Sequence, residues 1–204
     1  MTKFSIVMPS YLGDYPNSAT DKEDKLIRAI ESVLQQTYKN WELIIIADGC
    51  DKTINLLKKY FKTIDKNKEI ALYLVPKQKI WSGVRNFGIQ KATGDYIIYL
   101  DIDDYYSKDY LFNLSNEITN NDWYFVHDIK LQGNEFKKSY CDIKLGKCGT
   151  SNIIHKRKLN IKWAKSDYTE DYRFIQQLKS LSNDYKELTT AGYYVCHIPR
   201  KYDI

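Results

Sequence analysis

No stretch of this 204-residue chain is apolar for long enough to cross a membrane, and that absence is the first constraint on it. The polar start MTKFSIVMPS leads straight into a strand pattern rather than a signal peptide, so the expected location is the cytoplasm. Cysteine is sparse as well: Cys50, Cys141, Cys148 and Cys196 form no CxxC pair, which excludes a zinc ribbon or a thioredoxin-like redox motif and leaves free thiols. Neither GxGxxG nor GxxxxGKS/T occurs, so a dinucleotide-type Rossmann protein and a P-loop NTPase are both disfavoured. Repeats, low-complexity segments and linkers are missing too. The expectation is one domain over residues 1–204, long enough to bury a core without staples.

What is present is ordinary in amount and uneven in placement. A 43% hydrophobic and 28% charged composition is that of a globular chain rather than a disordered one. The net charge of +5 is concentrated: Lys130 to Lys165 holds ten basic residues against only Glu135 and Asp142. Such a stretch suits a pyrophosphate, an anionic membrane surface or a nucleic acid, and equally a solvated lysine-rich face.

Apolar patterning alternates strand and helix. Residues 4–8 read as a strand stopped by Pro9, and a helix follows with a possible Thr20–Glu23 capping box and Leu26, Ile27, Ile30, Val33 and Leu34 at helical spacing. Strands at Trp41–Ala47, Ile70–Val75 and Tyr96–Leu100 alternate with helices around Ile54–Phe61 and Ser82–Ala92. That order implies an α/β fold with a mainly parallel sheet covered on both faces. Beyond a helix near 108–118 the pattern changes to strands at 123–129, 135–143 and 153–155, a helix at 170–181 and a last strand at 193–198. The inward face of the 170–181 helix reads as Phe174, Ile175, Leu178 and Leu181.

The strongest chemical signal is the run Tyr99-Leu-Asp-Ile-Asp-Asp-Tyr-Tyr106, where an apolar strand ends in Asp101, Asp103 and Asp104. Alternation along a strand lets Asp101 and Asp103 share a direction at the carboxyl edge of the sheet, where open α/β folds bind ligands. A hard divalent ion is held by one or two such carboxylates while substrate phosphates complete its shell. The plainer reading makes two of the acids caps for the helix starting near Ser107. Asp48 closes the second strand at the same edge, and Arg85, in Gly83-Val-Arg-Asn-Phe-Gly-Ile89, suits a charge-assisted phosphate contact. Gly88 would let that helix approach the sheet closely. Glu170 and Asp171 open the 170–181 helix, as dipole partners or as a general base. His197, at the end of the last strand, is a candidate third metal ligand.

In order, Pro9-Ser10-Tyr11, Asp48-Gly49-Cys50-Asp51, Arg85-Asn86-Phe87-Gly88-Ile89, Thr93-Gly94-Asp95-Tyr96, Leu100-Asp101-Ile102-Asp103-Asp104 and Glu170-Asp171 resemble the family 2 glycosyltransferases of the GT-A fold. The resemblance is dense over residues 4–110 and sparse beyond. It implies a single-domain GT-A (nucleotide-diphospho-sugar transferase) fold, a mostly parallel mixed sheet flanked by helices. Residues 1–106 would form the nucleotide-binding half and 107–204 the acceptor-facing half. It implies transfer of a sugar from a nucleotide-diphosphate donor, UDP-linked for preference, to an acceptor hydroxyl with inversion, in polysaccharide or glycoconjugate synthesis.

By resemblance, Pro9, Tyr11 and Asp48 would surround the base and Arg85 would hold the nucleotide. Asp101 would lie near ribose and metal, Asp103 would be the principal ligand of Mn2+ or Mg2+, and Asp171 the catalytic base. Ala47 and Val84 depart from the family pattern around the nucleotide. The implied partners are a nucleotide sugar and a glycan or lipid-linked sugar acceptor. Nucleic acid is not expected, and contact with the inner face of a membrane fits a lipid-linked acceptor. Two alternatives stand: a sugar-phosphate nucleotidyltransferase, against which residues 10–17 offer no glycine- and arginine-rich loop, and a noncatalytic glycan- or anion-binding module, against which the intact acids count.

Overall fold

Strands β1 (Phe4–Ser10), β2 (Trp41–Asp48), β3 (Ile70–Val75) and β4 (Tyr96–Tyr99) alternate with helices α1 (Lys22–Leu34), α2 (Asp51–Tyr60) and α3 (Trp81–Lys91). The computed structural model describes residues 1–15, 21–63, 69–78, 81–132, 134–164 and 169–196. These four strands pair in parallel in the order β3-β2-β1-β4. Alternation divides their side chains between two cores. Phe4, Ile6, Met8, Leu43, Ile45 and Ile98 pack with Leu26, Ala29, Ile30 and Val33 of α1, whereas Val7, Ile44, Ile46, Ile97 and Tyr99 pack with Val84 and Ile89 of α3. Each fully buried aliphatic side chain of this kind contributes about 1.5–3 kcal/mol.

Pro9 does not stop β1, which runs on to Ser10. The backbone supplies the reason. Val7 O accepts from Leu100 N, so alternation turns Pro9 toward the same side, where β4 has already ended at Tyr99 and no ladder bond is lost. Gly88 has the role its position suggests, because a Cβ there would lie 2.4 Å from Val7 Cγ1 and 3.0 Å from Ile46 Cδ1. The absent side chain seats α3 on β1 and β2.

The rest of the described chain comprises β5 (Tyr105–Tyr106), α4 (Tyr110–Glu117), β6 (Trp123–Gln132), β7 (Glu135–Ser139), β8 (Ile153–Lys156), α5 (Glu170–Leu181) and β9 (Tyr185–Val195). The sheet continues as β4-β8-β6-β9-β5, with β7 on β6. β8 is antiparallel to both β4 and β6, while β6 and β9 run parallel with register shifts around His127. The expected α/β class with helices on both faces is therefore what the chain adopts.

Several expectations need correction. β9 begins at Tyr185 rather than 193, β7 ends at Ser139 rather than 143, and the two-residue strand β5 was not foreseen. Leu181 is exposed, so the inward face of α5 is Phe174, Ile175 and Leu178. Thr20 of the proposed capping box lies outside the described residues, and the N-cap of α1 is Asp21, without a side-chain cap bond. Among the described residues no helix is long and apolar enough to cross a membrane.

Candidate active site

The acids after β4 do not cap a helix. α4 begins only at Tyr110, and its N-cap Asp109 makes no side-chain cap bond. Asp104 instead turns inward, accepting hydrogen bonds from Tyr193 Oη and Cys196 N, each at 2.7 Å. Burial, and after it the charges of Asp103 and Asp101, pushes the Asp104 carboxyl up to about 8. Tyr193 Oη also accepts from Asp101 N at 3.1 Å, so the end of β9 is sewn to the acid run. Asp101 and Asp103 remain at the carboxyl edge, half-buried. Arg28 Nη2 donates to the carbonyl of Asp103 at 2.5 Å, fixing its backbone from α1. The charge of Asp103 reaches Tyr15, whose phenol is raised first by burial and then by that carboxylate. Asp103 thus looks toward the segment that follows β1.

Arg85, in the second turn of α3, draws the two parts of the chain together. Its Nη1 donates to Glu170 Oε1 at 2.7 Å, its Nη2 lies 3.6 Å from Asp101 Oδ1, and its guanidinium sits 5.0 Å from the centroid of the Trp163 ring. Burial alone would lower the Arg85 pKa; the charges of Asp101, Glu170 and Asp171 outweigh it and raise the value. Burial likewise raises Glu170, against the pull of Arg85. Arg85 Nε and Glu170 Oε2 are buried without a hydrogen-bond partner.

Asp171 stands one residue on, in the first turn of α5, and accepts a 2.7 Å hydrogen bond from the Thr150 hydroxyl on Oδ1. Burial raises its carboxyl; Thr150 and then Arg85 work in the opposite direction. Arg85, Asp101, Glu170 and Asp171 therefore form one cluster at the carboxyl edge of the sheet.

Asp48, Tyr11 and Lys77 make a second group. Asp48, 2% exposed at the end of β2, accepts from Lys77 Nζ at 2.9 Å and Gln78 N at 2.6 Å. The same ammonium lies 3.2 Å from the Tyr11 ring centroid, close enough for a cation–π contact. Pro9 is buried just before Tyr11. His197 lies outside the described residues, and no group of three or more metal-ligating residues occurs among those described.

The basic stretch sits elsewhere. Lys156 pairs with Tyr96 at the start of β4, so Lys156, Arg157 and Lys158 are roughly 16 Å of strand away from Asp101. There they join Gly94, Asp95 and Asn120 around a cavity of about 320 Å³. Lys130, Lys137 and Lys144 each pair with a neighbouring carboxylate. Lys156, Arg157 and Lys158 therefore lie away from the acids, and for them a solvated basic face is the better description.

Three site residues carried no readable signal. Thr150 opens a short 3-10 turn, and nothing about its neighbours in the sequence marks it. Trp163 lies beneath Arg85, and Asn86 clamps its backbone through Nδ2 to Trp163 O at 2.9 Å and Oδ1 from Trp163 N at 2.8 Å. Asn86 was visible in the Arg85 motif, but its target lies 77 residues away. Lys77 was hidden in the irregular segment after β3.

A parallel βαβ run with acids at its carboxyl edge, extended by a mixed sheet that adds a helix-borne carboxylate pair, is the GT-A arrangement. The chain matches the family model for glycosyl transferase family 2 over residues 5–177, and it belongs to that family. An uncharacterized glycosyltransferase of Haemophilus influenzae is 36% identical over 142 residues, covering 67% of this chain and 52% of that protein. WfgD of Escherichia coli, a UDP-Glc:alpha-D-GlcNAc-diphosphoundecaprenol beta-1,3-glucosyltransferase, is 35% identical over 101 residues, 49% of this chain and 34% of its own length. The chain thus spans between a third and about half of these relatives.

Two solved structures show the same fold. Staphylococcus aureus TarS 1–349 in complex with UDP-GlcNAc superposes with a TM-score of 0.73 at 18% identity, over 95% of this chain and 58% of that one. Mannosyltransferase PcManGT from Pyrobaculum calidifontis, in complex with GDP-Man and Mn2+, gives 0.71 at 12% identity, over 98% and 59%.

Proposed function

We propose that the protein transfers a sugar from a nucleotide-diphosphate donor to an acceptor hydroxyl with inversion, one domain supplying both the nucleotide cleft and the base. The observation that carries the proposal is the cluster Arg85–Asp101–Glu170–Asp171, which sets a half-buried carboxylate beside the acid-bearing strand end. Two buried atoms in it, Arg85 Nε and Glu170 Oε2, await partners that a polyhydroxylated ligand offers. Asp171 takes the proton of the attacking hydroxyl, whose oxygen joins the anomeric carbon as the bond to the diphosphate breaks. One displacement by one base inverts that carbon.

Tyr11 would stack on the nucleobase, and Asp48, whose carboxylate oxygens each have a second lone pair, would accept from the base edge. Arg85 would reach the nucleotide from beneath. Uridine is the preferred nucleoside, supported by the ligand in the TarS complex and by the name of WfgD. WfgD also supports a glycan or lipid-linked sugar acceptor, which would bring the protein to the inner face of a membrane from the cytoplasm. The donor set suits Mn2+ or Mg2+: Asp101 and Asp103 offer hard oxygen ligands while Asp104 is occupied by Tyr193 and Cys196, and His197 would be a third ligand. Bound there, the ion would offset charge on the departing diphosphate.

Calorimetric titration with UDP tests this reading. Binding should strengthen with Mn2+ or Mg2+ and lose that dependence in Asp103→Ala; indifference to both metal and substitution would overturn the site.

A further inference from the structure

Resting on that reading, we infer that Thr150 is the positioning residue for the base: its hydroxyl holds Asp171 Oδ1 and leaves Oδ2 to receive the acceptor's proton. The contact is 2.7 Å, and a carboxylate only accepts, so the hydroxyl is the donor. Thr150 is 6% exposed and starts a short 3-10 turn, Thr150–Asn152, just before β8.

That turn is fixed from below. Asn152, fully buried, donates through Nδ2 to Val126 O at 3.0 Å and Asp128 Oδ1 at 2.9 Å, and its Oδ1 accepts from Gly149 N at 2.8 Å. β6 therefore holds the turn, the turn holds Thr150, and Thr150 holds the carboxylate of a different element. Pre-organisation of this kind removes rotamers of Asp171 that would turn Oδ2 from the substrate.

The charged and titratable groups around Asp171 are Arg85 from α3, its neighbour Glu170 and the Cys148 thiol before the turn, which Asp171 helps raise after burial. Arg85 favours the ionised base, and Glu170 and burial oppose it. The Thr150 hydrogen bond favours ionisation, and its loss shifts the Asp171 carboxyl upward. Catalysis needs the carboxylate. The acid limb of the pH–rate profile must then move to higher pH when the hydroxyl is removed. A charge-assisted hydrogen bond corresponds to a shift of about one to two pH units. A threonine that merely packs α5 against the turn would change stability and leave the titration alone.

The test follows Asp171 by 13C NMR of Asp-labelled protein, with the resonance assigned by Asp171→Asn, alongside pH profiles of UDP-glucose hydrolysis. Thr150→Val should raise the carboxyl pKa by that amount, and Thr150→Ser should restore the wild-type value. Thr150→Ala takes the place of Val if the isostere does not fold. An Asp171 titration unchanged by Val or Ala would overturn the inference. Full hydrolysis by Asp171→Asn would instead overturn the assignment of the base, so the two failures are separable.

Discussion

The parallel region, β1 to β4, and the mixed region, β5 to β9, place their chemistry by different means. In the first, each strand pairs in even register and ends at one sheet edge, so Asp48 and Asp101 acquire their positions from local sequence alone. In the second, β6 serves β8 and then β7 along one side and β9 along the other, and slips register around His127. There, Thr150 and Glu170 are tied into the candidate site by distant partners, Asp171 and Arg85. The two regions also meet through a buried polar chain that joins β8 to β4. Trp163 Nε1 donates to Tyr99 Oη at 3.1 Å, and Tyr99 Oη is 2.8 Å from His155 Nε2. With His155 Nδ1 donating to Lys156 O at 3.2 Å, every polar atom of the chain is matched by neutral groups. A strand-ending motif is thus readable in isolation, while a tertiary site is not.

The largest expected effect comes from cutting the link between the two regions. Arg85→Met leaves Glu170 buried without its counter-charge and should destabilise the fold by about 3–5 kcal/mol in urea unfolding. A loss below about 1 kcal/mol would mean the regions are held together without that pair.

The polar chain gives the next. Burial depresses His155 to about 4, against a backbone bond to Lys156 that raises it. Between that value and the ordinary 6.5 the unfolded chain binds more protons, so stability should fall by up to about 3 kcal/mol as pH drops through this window. His155→Gln should flatten the slope; an unaltered slope would place the dependence elsewhere.

Gly88→Ala probes the parallel side and should cost about 1–3 kcal/mol by crowding Val7. The smallest effect belongs to the basic face: Lys158→Gln, 69% exposed and 3.6 Å from Asp122, should change stability by less than about 0.5 kcal/mol and leave UDP affinity unchanged. Weaker UDP binding in that variant would return the basic stretch to the site.

Most of the parallel region was legible because its strands are short apolar runs that end in polar residues and its helices show clean periodicity. The acids, Asp48, Arg85 and the Glu170–Asp171 pair were all visible, and the structure adds their partners. β9 was half-hidden because Tyr185, Lys186 and Glu187 are exposed on it and supply no apolar run. β5 is too short to leave a pattern. Leu181 misled because helical spacing continues to the last residue of α5, where no neighbour covers it. Thr150 had no signal at all, since a hydroxyl matters here only for the carboxylate it reaches across 21 positions.

On the proposed reading labour is divided: the parallel region would hold the nucleotide and the mixed region would supply the base. UDP titration and turnover of a UDP-sugar, measured on Asp171→Asn beside Glu170→Gln, test it most directly. Asp171→Asn should keep wild-type UDP affinity and lose roughly 10²–10⁴-fold in turnover, the span for removal of a general base. Glu170→Gln, which loosens buried Arg85, should lower stability more and turnover less. Full turnover by Asp171→Asn, or a greater loss of turnover in Glu170→Gln, would contradict the account.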